Sequence, residues 1–350
     1  MSPFEEVQKK LEQLKAVVQS GKRLVILGHD QPDPDGISSA MAFTELSARY
    51  FGVPAIFRFA GEVSRPENRE MIRRLRIKIN PLQKSEIRPT DRFAVVDCQP
   101  HTGNLRLPEG MEPHIVIDHH PLRKATKAAY IDVRPDYGAT ATIMSEYLLA
   151  AAVEIKTTLA TALCYGISSE TQHLGRGAAA VDARIYSAIF PAANQKILSQ
   201  IENPNLPREY FKTLNRALHH TYVYKNALVS TLGEVTAPDF VPIVADLLLK
   251  CERISWSLCI GRYDNRILAS VRTSSRKANA GAFLRSLVGK RGTAGGHGLL
   301  AGGQIVCQST SDLSCDQYEK DLRLKFFKKL GFKEGAEMIP LLVEENTKMV

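Results

Sequence analysis

Cysteine and tryptophan are scarce in this chain: six cysteines, at 98, 164, 251, 259, 307 and 315, and one tryptophan in 350 residues. No two cysteines form a C-x-x-C pair, which argues against a zinc knuckle or a disulfide framework and fits a reducing cytoplasm. Long apolar runs are also missing. Nothing approaches the roughly 20 residues needed to span a bilayer. Residues 1–20 carry Glu5, Glu6, Glu12 and several lysines, not the apolar stretch of a secretory signal. The sequence therefore predicts a soluble cytoplasmic protein with no membrane partner. There is no internal repeat and no low-complexity tract. Acids are outnumbered, 37 against 46 lysines and arginines, for a net charge of +9. Such an excess favours a polyanionic ligand such as a nucleotide or single-stranded nucleic acid, although a solvated basic surface produces the same balance.

What the chain does contain is a set of apolar runs that end in acids and histidines. Val116-Ile117 leads into Asp118-His119-His120. Arg23 to Leu27 opens into Gly28-His29-Asp30-Gln31-Pro32-Asp33-Pro34-Asp35, and Phe93 to Val96 ends in Asp97. Parallel strands deliver ligands to the carboxyl edge of an open α/β sheet in this way. Taken alone, the Pro/Asp-rich turn at 32–35 reads as turn chemistry with a helix N-cap. Its joint occurrence with two other acid- or His-terminated runs points elsewhere. Imidazole mixed with several carboxylates is the ligand set of a hydrolytic metal centre, and there are enough groups for two ions.

The length suggests about two domains. Phe4, Val7, Leu11, Leu14 and Val18 recur at helical spacing, and strands are expected at 23–27, 53–59, 93–97 and 115–118. A helix fits 36–50, and further helices fit 138–152, 157–168 and, more weakly, 181–190. Strands interleaved with helices predict an α/β fold with a doubly wound, mainly parallel sheet over 1–195. Pro191, Asn203-Pro204-Asn205 and Pro207 punctuate a stretch without a sizeable apolar run, so 196–224 is read as a helical linker. Residues 225–335 then form a smaller α/β domain with a mixed sheet, in which 291–303 is a glycine-rich loop. A polar tail follows over 336–350.

The pattern His29-x-x-Pro32-Asp33-x-Asp35-x-x-x-Ser39, then Asp97, then Asp118-His119-His120-Pro121, resembles the DHH phosphoesterase superfamily. Ala294-Gly295-Gly296-His297-Gly298-Leu299-Leu300-Ala301-Gly302-Gly303 is similar to the G-G-G-H-x-x-A-A-G signature of the DHH-associated domain in nano-RNases and RecJ-type exonucleases. The resemblance covers roughly residues 20–310. Pyrophosphatase-like DHH proteins carry a different second domain and are disfavoured by this loop. A Rossmann cofactor site is rejected as well, because no apolar strand precedes the glycines.

The resemblance implies a site of two Mn²⁺ ions. His29 and Asp33 would hold the first, Asp35 and His119 the second, and Asp97 would bridge them. His120 would lie beside the scissile phosphate, with Asp118 orienting the histidines. The family's fourth motif supplies an Asp before a Thr. Here Glu170 stands at that place, before Thr171, able to ligate directly or through water. Arg272, Ser274, Gly295, Gly296 and His297 would grip the non-scissile phosphate of the substrate. His101 is close enough in sequence to Asp97 to support it. The implied activity is Mn²⁺-dependent hydrolysis of short oligonucleotides (nano-RNA, linear dinucleotides) and of adenosine 3′,5′-bisphosphate. The alternatives are a RecJ-like single-strand exonuclease and a catalytically weak nucleotide sensor. The sequence leaves monomer and homodimer both open.

Overall fold

The computed structural model describes residues 3–30, 32–61, 63, 65–102, 104–105, 107–108, 110–175, 177–275, 277–307, 312–331 and 338–342. The chain divides into two compact units, Met1–Asn205 and Leu206–Val350. The division falls inside the segment read as a linker. Helix 195–202 packs with the first unit through buried Leu198 and Ile201, and the helix beginning at 208 packs with the second through Tyr210 and Ala217.

In the first unit the order is α1 (Pro3–Gln19), β1 (Arg23–Leu27), α2 (Pro34–Leu46), β2 (Ala55–Arg58), α3 (Pro66–Leu75), β3 (Asp91–Val96), β4 (Ile115–Asp118), β5 (Tyr130–Val133), α4 (Thr140–Ala150), α5 (Thr157–Glu170), α6 (Ala180–Ile189) and α7 (Gln195–Glu202). The strands align as β2-β1-β3-β4-β5, with every neighbouring pair parallel. The order reverses between β1 and β3, so the sheet is doubly wound and its switch point lies beside those two strands.

Alternation along the strands assigns the two faces. Leu24, Ile26, Ala94, Val96, Ile115 and Ile117 join the core built by the helices. Val25, Leu27, Phe93, Val95 and Val116 face Leu82, Ile87, Leu105, Leu107 and Met111, which come from connecting segments. Connections thus pass over both faces, as double winding requires, but among the described residues the α-helices lie on one face and connecting segments cover the other. The strands are apolar on both faces, as buried parallel strands must be.

The second unit runs α8 (Arg208–His219), β6 (Thr221–Tyr224), β7 (Ala227–Glu234), α9 (Phe240–Leu248), β8 (Trp256–Tyr263), β9 (Arg266–Thr273), α10 (Ala280–Val288), β10 (Gly292–His297), β11 (Leu300–Val306), α11 (Asp312–Lys329) and β12 (Ile339–Pro340). Its sheet, ordered β10-β11-β9-β8-β7-β6-β12, is mixed: β7 and β8 run parallel and the other pairs antiparallel. Helices α8 and α9 cover one face, and α10 and α11 the other.

Two features of the second unit differ from what the sequence predicts. The glycine-rich stretch 291–303 is a β-hairpin, with Gly295 opposite Gly302 and Gly296 opposite Ala301. A Cβ at Gly281 would stand 2.0 Å from the carbonyl oxygen of Gly296, and Gly296 itself has φ 141°. The glycines thus let α10 pack directly on strand backbone, a tertiary demand that local propensity does not register. The second concerns cysteine: Cys307 and Cys315, eight residues apart, are joined in a disulfide. No helix among the described residues is long and apolar enough to cross a membrane.

Candidate metal centre

The site is built where β1, β3 and β4 end. Beyond β1 the chain turns through His29 and Asp30 to Asp33, which caps α2: its Oδ1 accepts the Gly36 N–H at 2.9 Å. The plain helix-cap reading of this loop is therefore correct, but it uses only one carboxylate oxygen. Asp33 Oδ2 faces His29 Nε2 at 3.2 Å, and His29 Nε2 lies 3.7 Å from Asp97 Oδ2. Asp97 follows β3 with φ 59°, a left-handed conformation rarely adopted outside glycine, asparagine and aspartate. His119 follows β4, its Nε2 3.6 Å from Asp97 Oδ1 and 3.8 Å from Asp35 Oδ2.

Two sets of candidate ligand atoms each gather within 4.8 Å: His29, Asp33 and Asp97, and Asp97, His119 and His120. Asp97 belongs to both. Asp35 stands outside these sets because its carboxylate caps α4, accepting the N–H groups of Thr140 at 2.8 Å and Ala141 at 2.6 Å. Oδ2, with one donor, keeps a lone pair for a cation, whereas Oδ1 also accepts from the Ser39 hydroxyl at 3.5 Å. Glu170, the last residue of α5, also lies outside them and reaches solvent.

The electrostatics of the cluster favour a cation. Burial and the neighbouring Asp33 push the Asp35 carboxyl up to about 7. Burial, with Asp35 and Asp33 nearby, raises Asp97 well above the usual carboxylate range. The protein crowding Glu170, together with Asp33 and Asp35, pushes that carboxyl up to about 7 as well. Asp33 departs from this pattern: burial opposes ionisation, but the charge and hydrogen bond of His29 hold it at about 2.

His119 supplies the sharpest test of fit. Its Nδ1 sits 3.3 Å from the carbonyl oxygen of Tyr137, which can only accept, so Nδ1 carries the proton. Burial also lowers its pKa, keeping the ring neutral. Nε2 is then a buried lone pair with no hydrogen-bond partner among the described residues, aimed at two carboxylates. A divalent cation satisfies that arrangement.

His120 is held differently. Its Nδ1 donates to Asp118 Oδ1 at 2.9 Å. Burial lowers its pKa, but the bond and charge of Asp118 outweigh that, and the net direction is upward. Asp118 is fixed in turn by Gln99, whose Nε2 donates at 2.6 Å. Gln99 Oε1 accepts from Arg123 N–H at 2.9 Å and Thr126 Oγ1 at 2.7 Å, pinning the loop after His120. Gln99 is absent from the sequence reading, as is Thr140, whose Oγ1 donates to Asp97 Oδ1 at 3.0 Å. His101 lies elsewhere: it is exposed and faces Glu112 at 3.3 Å, so it does not support Asp97.

The remaining sequence-derived residues belong to the second unit. Arg272, near the end of β9, is 5% exposed. Its Nε bonds Asp246 of α9, and its Nη1 donates to Ser270 Oγ at 2.8 Å and to the Ala301 carbonyl at 3.3 Å. The guanidinium thus has protein partners already, where the sequence placed a fork open to substrate. Ser274, Gly295 and Gly296 are exposed. The His297 backbone ends β10, and its side chain lies outside the described residues.

A parallel sheet that collects histidines and carboxylates at its switch point presents the ligand set that metal-dependent hydrolases use. Comparison with known proteins narrows that class. Residues 23–167 match the DHH family, N-terminal domain. The chain is 33% identical over 351 residues to uncharacterized protein MJ1633 of Methanocaldococcus jannaschii, covering 94% of this chain and 72% of that one. It is 26% identical over 331 residues to the cyclic-di-AMP phosphodiesterase GdpP of Bacillus subtilis, covering 85% of this chain and 47% of GdpP, so it spans about half of GdpP's length. The crystal structure of an exopolyphosphatase-related protein from Bacteroides fragilis superposes with a TM-score of 0.72 at 14% identity, covering 92% of this chain and 97% of that one. At that identity the likeness concerns the fold alone. The chain belongs to the DHH superfamily of phosphoesterases, which are metal-dependent hydrolases.

Proposed function

We propose that this phosphoesterase hydrolyses short nucleotides, namely nano-RNA, linear dinucleotides and adenosine 3′,5′-bisphosphate, with two Mn²⁺ ions in the centre just described. The observation that carries the reading is Asp97 standing in both ligand clusters. His29 and Asp33 would hold one ion, His119 and Asp35 the other, and Asp97 both, with Glu170 reaching the second directly or through water. When bound, the ions lower the pKa of an attacking water and neutralise charge on the phosphoryl oxygens.

The chain's own residues do the rest. Asp118 keeps a proton on His120 Nδ1 and favours the charged ring, so His120 can present a second N–H to a phosphoryl oxygen. In the second unit Gly295, Gly296 and Ser274 are exposed and would take a non-reacting phosphate, with Arg272 of β9 across β11 from the end of β10. Mixed imidazole and carboxylate ligands favour Mn²⁺ over the harder Mg²⁺ and Ca²⁺.

A second reading, hydrolysis of cyclic dinucleotides, is favoured by the similarity to GdpP. One assay separates the two: purified protein with Mn²⁺ against labelled 2- to 24-mers, adenosine 3′,5′-bisphosphate and cyclic di-AMP, with products resolved by length. The proposal expects turnover falling as the oligomer lengthens. Preference for the cyclic substrate moves the assignment to the second reading, and equal attack on 24-mers contradicts both.

A further inference from the structure

Residues 137–142, the bend before α4 and the first turn of that helix, touch three of the candidate ligands, and none of them bears a group expected to bind metal. The Tyr137 carbonyl takes the Nδ1 proton of His119 at 3.3 Å. Thr140 gives its N–H to Asp35 and its hydroxyl to Asp97, and Ala141 gives its N–H to Asp35. Small displacements of this segment would rotate His119 and swing two carboxylates together. What holds the segment is Asp182, a fully buried acid at the start of α6.

Asp182 Oδ2 accepts the Gly138 N–H at 2.9 Å and the Ala179 N–H at 2.7 Å, and Oδ1 accepts the Thr142 hydroxyl at 2.5 Å. One carboxylate therefore ties the first turn of α6 to both ends of the segment. The fit leaves no slack. A Cβ at Gly138 would stand 2.8 Å from Asp182 Oδ2 and 2.7 Å from Thr171 Cγ2, and Thr171 follows Glu170.

We infer that Asp182 is a positioning residue for the metal centre, acting through the 137–142 segment on His119, Asp35 and Asp97. A buried acid that merely capped α6 would need only the bond to Ala179. The additional bonds to Gly138 and Thr142 are directed at the segment that aligns the ligands. This inference rests on the two-ion reading above.

The test is Mn²⁺ binding, followed by electron paramagnetic resonance and calorimetry, with the full chain. Asp182→Ala removes all three bonds and should weaken the second ion by about 10-fold or more, the scale of outer partners of metal ligands. Asp182→Asn should stay within about threefold, because the amide oxygen still accepts both N–H groups and the NH₂ group can donate to Thr142 Oγ1. Leu198→Ala, a buried position in α7, serves as the control for lost stability alone and should leave Mn²⁺ affinity unchanged. Should Asp182→Ala not fold, Thr142→Val deletes one bond at nearly constant volume and should weaken the second ion by roughly 3–10-fold.

Wild-type affinity in Asp182→Ala, or in Thr142→Val where that variant replaces it, overturns the inference. So does an Asn variant as weak as Ala, or an equal loss in Leu198→Ala. Wild-type protein that binds fewer than two ions sinks the two-ion reading itself, and this inference falls with it.

Discussion

In the first unit every neighbouring strand pair runs parallel, so β1, β3 and β4 all end at one edge, where His29, Asp97 and His119 meet. In the second unit most pairs run antiparallel, so only alternate strands end at a given edge: β9 and β10 do, bringing Arg272 and His297 to the two sides of Leu300 in β11. Charge divides the same way. Residues 1–205 carry 25 lysines and arginines against 23 acids, whereas residues 206–350 carry 21 against 14. The parallel sheet of the first unit gathers acids whose mutual repulsion a cation or retained protons must offset. The second unit combines an exposed glycine hairpin with an excess of basic residues, the features on which the proposed phosphate grip rests.

The largest break in this comparison should come from Asp97→Ala. With the shared carboxylate gone, Mn²⁺-dependent turnover should fall by about 1,000-fold or more, because both ions lose a ligand at once. Circular dichroism should remain that of the wild type. Activity above a few per cent would mean that the two ligand sets do not act as one centre.

Metal removal comes next, read as thermal stability against pH. Without a cation, Asp35, Asp97 and Glu170 keep protons in the folded state to higher pH than in the unfolded chain. Folding then binds protons, so stability falls as pH rises from about 4 to about 7. His29 and His120, raised on balance by Asp33 and Asp118 against the opposing effect of burial, also lose their contribution as pH rises. The low pKa of Asp33 contributes stability that is already complete above its ordinary value of 3.8. Melting of the metal-free protein at about pH 8 should therefore occur several degrees below that at about pH 5, and saturating Mn²⁺ should reduce the difference. The opposite slope would mean that the cluster does not repel itself.

Arg272→Ala probes the second unit and should act on substrate. For a dinucleotide, kcat/KM should fall by about 1.5–3 kcal/mol, the range of a charge-assisted hydrogen bond, provided the guanidinium gives up its bond to Ser270 or to the Ala301 carbonyl for the phosphate. A chromogenic phosphodiester without a second phosphate should change little. Equal losses would place Arg272 in the support of β9 and β11 alone, a role that its bonds to Asp246 and Ala301 could fill. The smallest effect belongs to Glu170→Gln. Since Glu170 lies at the solvent-exposed rim outside both ligand sets, the Mn²⁺ concentration for half-maximal activity should rise less than about tenfold. A larger rise would make Glu170 a direct ligand.

Much of the first unit is legible in the sequence because buried parallel strands are continuous apolar runs, and polar residues at their ends stand out. The runs ending near His29, Asp97 and Asp118 are β1, β3 and β4. Helices α3 and α7 escaped notice for the converse reason. Met71 and Leu75 are buried among five arginines and lysines between Arg69 and Lys78, and α7 buries only Leu198 and Ile201. Strand β5, four residues long, leaves too little pattern to read. The glycine hairpin was missed because its strands are specified by what packs on them. Within the site, the sequence points to residues with a ligand chemistry and to their neighbour Asp118, but not to the more distant residues that hold them. Gln99, Thr140 and Asp182 act through hydrogen bonds spanning 19 to 105 positions in the chain, and no spacing rule connects them.

The central claim is that two cations share Asp97. Crystals equilibrated with Mn²⁺ and measured at the manganese absorption edge test it most directly. The account predicts two anomalous peaks roughly 3.5–4 Å apart, both in contact with Asp97, one beside His29 and Asp33 and the other beside His119. A single peak, or a second peak that does not touch Asp97, would contradict it.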